Sequence, residues 1–424
     1  MPTSRYTINR RKLLAASGAG AIALTTRPAF AQPATPAATT DWRDTTWTGT
    51  WADSPQLPFD LTLAPYTGRT YRHIVRISLG GNQVRVRLNN AHTALPQIVE
   101  AASVAKANPD GSVAPDSILP LTFGGNPSIM LAPDAVVASD PVTLTTGDRS
   151  DLAVSLYIPG DVVVDPEGLL TTAVSEPGDF TGETRMPTET TAHSSALLFA
   201  IDVAGATADG AIVALGGSST KGTGSTAGAN RRWTDVLSER LFADASLRMG
   251  MVNAGISGNR TLRDGTGDYR YRSGISALAR FDRDVLSHPS TTHLIMWMGG
   301  NDIVAPLFAE DPTAEAVTVD ELASGLRILT DRAHAHGISV ILGTIPPASG
   351  AFPEYDAVDA ERESLNEWIR SESTFDGMID FDAIIRDPGQ PNRLLPAFDS
   401  GDHLHPNDAG YQAIGEAVEL DLFR

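Results

Sequence analysis

Four short segments in the C-terminal half hold the residues that could do chemistry. In chain order they are Gly216-Gly217-Ser218, Gly258 within Asn253 to Asn259, Gly299-Gly300-Asn301-Asp302, and Asp402-His403-Leu404-His405. Together they offer a serine hydroxyl, two donors for a developing oxyanion, and a carboxylate three residues before an imidazole, which are the parts that acyl transfer from an ester requires. Taken singly, Gly-Ser and Asn-Asp pairs are ordinary turn residues. Their order, each at the expected C-terminal end of a strand, points to one site.

A free hydroxyl is a weak nucleophile near neutral pH, so a base is needed. Ser218 follows an apolar run through two glycines, a context that presents its hydroxyl at the end of a sheet. Ser219 and Thr220 are adjacent competitors. Among nine histidines, His405 is the best placed, because Asp402 sits one turn earlier, just before a helix start at Pro406-Asn407-Asp408. A carboxylate there can fold back onto Nδ1–H, fix the tautomer and leave Nε2 facing the serine. His403 is the rival, although as the immediate neighbour of Asp402 it makes a useful hydrogen bond less easily. Negative charge on the reacting carbonyl oxygen needs fixed donors, each contributing about 3 to 4 kcal/mol in known cases. Gly258 can offer a backbone N–H with no side chain in the way, and Asn301 a side-chain amide.

The elements that must position these groups divide into two patterns. From 42 to 204 the chain reads as strands. Val75, Ile77 and Leu79 alternate with polar residues, Gly80-Gly81-Asn82 turns, and Val84, Val86 and Leu88 alternate again, which predicts a hairpin. Leu152 to Ile158 and Leu197 to Val203 add further strands, and the whole predicts an antiparallel β-sandwich of jelly-roll type. From 211 to 424 short apolar runs (Ala211 to Leu215, Met251 to Asn253, His293 to Met298, Val340 to Thr344, Met378 to Phe381) alternate with helical windows. That alternation predicts an α/β domain, a parallel sheet with helices on both faces, whose ligands bind where strands end. A small-residue linker is expected at 204–210, and a loop insertion at 305–320.

The four segments resemble the blocks of the SGNH hydrolases, also called GDSL esterases, over residues 211 to 424. The resemblance implies a flavodoxin-like domain and esterase activity without metal or other cofactor. It further implies Ser218 as nucleophile with its own N–H in the oxyanion hole, Gly258 and Asn301 as the other donors, and Asp402 with His405 completing a triad. Two positions depart from the pattern. Gly217 stands where the motif has aspartate, and Lys221 where an acidic residue is usual. Because that aspartate is outside the triad, activity is expected to survive. The longer segments Asn253 to Arg260, Ala279 to Asp284 and Asp399 to Tyr411 are similar to an exported bacterial subfamily that pairs the hydrolase with an N-terminal β-sandwich and often accompanies plant-polysaccharide degradation.

Charge narrows the partners. The net charge of −19 comprises five basic residues and no acidic one in residues 1–31, and −24 in the remainder. Such a surface repels phosphate backbones and anionic lipids, so nucleic acid and stable membrane association are not expected. Arg10-Arg11-Lys12, the Ala/Gly-rich run from Leu13 to Thr26 and Ala29-Phe30-Ala31 read as a twin-arginine signal peptide over 1–31, predicting a periplasmic or secreted protein. There is no cysteine, which excludes disulfides and thiolate chemistry.

The expected function is an exported serine esterase for short acyl, above all acetyl, esters of carbohydrate. Aryl, feruloyl and short-chain lipid esters remain as alternatives, as does a transferase passing the acyl group to a sugar. A reading of another class is a glycan-binding protein with a vestigial hydrolase domain. Trp42, Trp47 and Trp51 could stack on sugar rings, or fill the sandwich core.

Overall fold

The computed structural model describes residues 45–58, 60, 62–91, 93–165, 168–244, 246–265, 272–307 and 316–424. The signal-peptide expectation, Trp42 and residues 308–315 of the expected loop insertion lie outside them. From Arg43 onward the chain forms one compact unit.

Two large antiparallel sheets and a two-stranded one, Gln97–Val99 with Ile129–Leu131, make up the first part. One large sheet holds Trp47–Ala52, Leu198–Ala204, Gln83–Asn89 and Val136–Ala138 in that order, with Val142–Thr143 also on Gln83–Asn89. The other runs Thr188–Ala192, Thr172–Pro177, Tyr66–Arg76, Asp151–Val162, Ala101–Lys106, Leu119–Pro120. Their inner faces share one core, with Val84, Val86, Ile201 and Val203 from the first sheet and Tyr71, Val75, Val154 and Leu156 from the second. This is the expected sandwich.

The hairpin expected over 75–88 is corrected. Tyr66–Arg76 and Gln83–Asn89 belong to different sheets, so the chain crosses between layers at Gly80-Gly81. A side chain there has no room, since a Cβ on Gly80 would lie 2.4 Å from the Gly147 carbonyl carbon and one on Gly81 2.5 Å from the Ala204 oxygen. Two alternating strands around a glycine turn fit a sheet-to-sheet arch as well as a hairpin, and only the core decides between them.

From Gly210 the sheet is parallel. Call its strands by order: first Gly210–Gly216, second Met249–Gly255, third Thr291–Trp297, fourth Ser339–Gly343 and fifth Gly377–Ile379, arranged 2-1-3-4-5 across the sheet. That is the flavodoxin-like order, whose switch point lies between the first and third strands. Every residue of the first two strands is buried, as expected for a sheet covered on both faces. Helices Trp233–Ala243, Val319–His334, Asp359–Ser371 and Asp408–Ala417 supply the cover. Val319–His334 starts at a capping box of Thr318 and Glu321, which satisfies otherwise orphaned N–H groups.

The two parts are packed together. Ala52, Phe199 and Ala200 of the sandwich sit in the core of the parallel sheet. Ser78 Oγ accepts from Met251 N at 2.8 Å, Arg87 Nη2 donates to Ser287 Oγ at 2.7 Å, and Ser290 Oγ to the Trp47 carbonyl at 2.7 Å. Trp47 and Trp51 are each only 6% exposed, so neither offers a face to a sugar ring.

Candidate active site

The first strand ends at Gly216, and after Gly217 a single helical turn, Ser218–Lys221, begins. Gly216 has to be glycine, because a Cβ there would lie 2.0 Å from Thr220 Oγ1. The turn lifts Ser218 to the C-terminal edge of the sheet. From the other end of the chain, the loop before helix Asp408–Ala417 brings His405 against it. His405 Nε2 stands 2.7 Å from Ser218 Oγ, and His405 Nδ1 2.6 Å from Asp402 Oδ2. The second Asp402 oxygen accepts from the N–H groups of Leu404 at 2.9 Å and His405 at 2.8 Å. Burial pushes the Asp402 carboxyl up. The hydrogen bonds from the His405 ring and from these N–H groups outweigh it and hold the group well below the usual carboxylate range.

The competing residues are placed elsewhere. His403 takes a left-handed backbone conformation, φ 62°, and its Nδ1 pairs with Asp399 Oδ2 at 2.6 Å. Thr220 is buried at 1% exposure, and its carbonyl accepts from Asn253 Nδ2 at 2.6 Å. Ser219 lies beside Ser218 on the wall of a neighbouring cavity.

The second strand leads into a turn, Ile256 to Asn259, closed by Asn259 N–H on the Ile256 carbonyl at 3.1 Å. Gly258 has φ +74°, and a Cβ on it would meet Ser273 Oγ at 2.5 Å, so both conformation and space require glycine. After the third strand, Asn301 Nδ2 donates to the Asn259 carbonyl at 3.0 Å, which uses one of the two N–H bonds of its amide. Ser218, Gly258, Asn301 and His405 line one cleft. Gly217, the departure from the motif, has a spatial consequence: a Cβ there would approach Asn301 Nδ2 to 2.7 Å.

Several supporting residues carried no assigned role in the sequence. Arg280 is fully buried and donates to the Gly216 carbonyl at 3.0 Å, the Ala254 carbonyl at 2.7 Å and Asn259 Oδ1 at 2.9 Å. It therefore ties the ends of the first two strands to the Gly258 turn. Its partner Asp284, 2.8 Å away, is opposed by burial, yet Arg283 and Arg280 hold it ionised, well below the usual range. Asp302 accepts from Thr261 N at 2.7 Å and Leu262 N at 3.1 Å, anchoring the far side of the same loop. The signal for Arg280 and Asp284 was charge set i, i+4 within an apolar helical window.

Two spaces flank Ser218. A cavity of about 80 Å³ runs under the third and fourth strand ends, lined by Asn301, Ile303, Val304, Ile345, Ala348 and Leu404 among others. Next to it, sharing Ser218, Asn301 and Leu404, opens a cleft of about 680 Å³, also walled by the sandwich residues Gln56, Asp60, Leu63, Asp165 and Leu169. Lys221, at the second departure from the motif, pairs with Asp53 of the sandwich at 3.0 Å. Among the described residues no helix is long and apolar enough to cross a membrane.

Residues 214–413 match the GDSL-like Lipase/Acylhydrolase family. Solved structures similar to this chain include a GDSL-like lipase from Bacteroides thetaiotaomicron VPI-5482, 20% identical over 50% of this chain and 87% of that one, with a TM-score of 0.34. Another is an alpha/beta hydrolase enzyme from the metagenome of Lake Arreo, Spain, with 25% identity, 50% and 94% coverage and a TM-score of 0.36. A third is a catalytic mutant of an acetylxylan esterase from Geobacillus stearothermophilus, with 20% identity, 50% and 93% coverage and a TM-score of 0.37. No curated protein matches the sequence. On the family match and the 2-1-3-4-5 sheet, the chain carries an SGNH/GDSL-type hydrolase domain, of the lipase and esterase family, preceded by an antiparallel sandwich-like domain.

Proposed function

We propose that the chain is an exported serine esterase that removes short acyl groups, acetyl first among them, from carbohydrate. The observation that carries this reading is the line of contacts from Ser218 Oγ to His405 Nε2 at 2.7 Å and from His405 Nδ1 to Asp402 at 2.6 Å. Ser218 attacks the ester carbonyl while its proton passes to His405, and Asp402 stabilises the imidazolium that forms. The oxyanion accepts hydrogen bonds from the N–H groups of Ser218 and Gly258 and from the Asn301 amide. On collapse the alcohol leaves with the proton from His405. Water then repeats the sequence on the acyl-enzyme, releasing the acid and restoring Ser218.

Size and polarity support the substrate class. A space of about 80 Å³ is roughly half of the ~150 Å³ void that accepts benzene, which favours acetyl over long chains. The 680 Å³ cleft falls within the ~300–1,000 Å³ range of ligand pockets, and Asp60, Thr223, Ser225 and Ser257 give it polar groups for a polyhydroxylated alcohol. Export rests on the basic and small-residue pattern of residues 1–31. Release of p-nitrophenol from acetate, butyrate and octanoate esters tests the reading. The wild type is expected to turn over acetate fastest, and Ser218→Ala to lose at least about 10³-fold in kcat while unfolding at the same temperature. Undiminished turnover by Ser218→Ala, or a rate rising toward octanoate, would sink it.

A further inference from the structure

The sandwich touches the chemistry at one residue whose contacts have a directional consequence. Gln56, four residues past the end of strand Trp47–Ala52, reaches across to Ser257, 201 positions away in sequence. Its Oε1 accepts from Ser257 N–H at 3.1 Å, and its Nε2 lies 3.4 Å from the Ser257 carbonyl oxygen, the longer of the two contacts. The Ser257 carbonyl and the Gly258 N–H belong to one peptide unit. In a trans peptide they point in opposite directions, so holding the carbonyl toward the sandwich aims the N–H the other way.

The turn makes that aim necessary. Ile256 to Asn259 is a four-residue turn closed at 3.1 Å, with positive φ at its third residue, Gly258, the mark of a type II turn. Type I and type II turns differ chiefly by rotation of the central peptide, here Ser257–Gly258. Glycine at the third position tolerates both. One orientation presents an N–H to an oxyanion, and the other presents a carbonyl oxygen that repels it. The neighbouring anchors, Asn259 through Arg280 and Thr261 through Asp302, grip the loop beyond the peptide that can rotate. Gln56 grips that peptide itself.

We propose that Gln56 is a positioning residue which latches the Ser257–Gly258 peptide so that the Gly258 N–H faces the oxyanion, making the sandwich part of the catalytic apparatus. The proposal rests on the serine esterase reading. Gln56→Met keeps the length of the side chain and removes both contacts, whereas Gln56→Glu keeps the acceptor and loses the donor to the Ser257 carbonyl. With full-length protein and p-nitrophenyl acetate, each variant should lose about tenfold to a hundredfold in kcat, because removing an oxyanion donor outright costs ~10²–10³. KM should stay within twofold and the thermal unfolding temperature unchanged. A kcat within twofold of wild type in a folded Gln56→Met overturns the proposal, and so does a loss confined to KM, which would make Gln56 a substrate contact. If Gln56→Met does not fold, Gln56→Glu decides by the same two criteria. Wild-type turnover indifferent to Ser218→Ala overturns the esterase reading and this proposal together, whereas serine-dependent turnover indifferent to Gln56 overturns this one alone.

Discussion

The two walls of the cleft are built differently. On the hydrolase side Ser218, Gly258 and Asn301 follow the ends of three neighbouring parallel strands, and buried Arg280 bonds to the ends of two of them. On the sandwich side Gln56, Asp60, Leu63 and Asp165 come from segments between strands, which meet the hydrolase through contacts such as Gln56 on Ser257, Asp53 on Lys221 and the Leu169 carbonyl on Gly228 N–H. Reacting groups must hold their geometry to about half an ångström, so rigid sheet ends suit them. On the proposed reading the opposite wall, Gln56 apart, receives the alcohol, and loops suit that role because they can vary without moving Ser218.

The largest effect that could break this comparison is at His405. His405→Ala should lower kcat by about 10⁴-fold or more, whereas His403→Ala, which breaks an Asp–His contact of equal length on the same loop, should leave turnover near wild type. Equal losses from both would mean that the loop, not the contact with Ser218, matters. Steady-state kinetics on p-nitrophenyl acetate decides it.

Acid stability tests whether both regions hold the unit together. His73 in the sandwich and His288 beside Arg87 at the junction are fully buried, and burial lowers each from 6.5 to about 3. Below pH 6.5 the unfolded chain binds protons that the folded chain refuses. The contribution of each histidine is therefore complete above 6.5 and falls as the pH drops toward 3, by up to about 1.4 kcal/mol per pH unit. Urea unfolding at pH 7 and pH 4.5 should show the loss, and His288→Gln should reduce its slope. A stability independent of pH across that window would contradict the buried, neutral state.

At Gly217 the expected effect is smaller. Restoring the motif residue with Gly217→Asp puts a Cβ 2.7 Å from Asn301 Nδ2, so the amide has to shift. A loss of about tenfold in kcat is expected, a fraction of what removing a donor costs. Unchanged kinetics would show that Asn301 retreats freely. The smallest effect belongs to the sandwich wall, where Leu63→Ala should change kcat/KM by less than about tenfold between alcohol portions while leaving p-nitrophenyl acetate turnover alone. A large loss with the acetate would place Leu63 on the acyl side.

Much of the architecture was legible because it depends on local pattern. Five apolar runs of strand length between helical windows predict a parallel sheet, and the described strands fall on those runs with ends shifted by one or two residues. The arch at Gly80-Gly81 was not legible, since alternation records which face is buried and says nothing about which strand is the neighbour. The site was legible in parts for the same reason. The four segments can be read directly and three of them lie at strand ends, whereas Asp402 to His405, expected at a strand end as well, lies in the loop before helix Asp408–Ala417, where Asp402 and His405 are close enough in sequence to meet on one turn. His403 also has a partner, Asp399 four residues earlier, but the spacing of Asp402 and the resemblance favoured His405, whose Nε2 stands 2.7 Å from Ser218 Oγ.

By itself, then, the amino-acid order determined the kinds of elements, the family resemblance and the inventory of reactive groups, because these follow from side-chain chemistry and short-range periodicity. Tertiary structure alone decided how the wall opposite Ser218 is made and which sandwich residues reach the site. The contact of His405 with Ser218 spans 187 residues and that of Gln56 with Ser257 spans 201. The first contact exists only once the core of the α/β part has formed, the second only once the two parts have packed together, and no local pattern encodes the register in which they do.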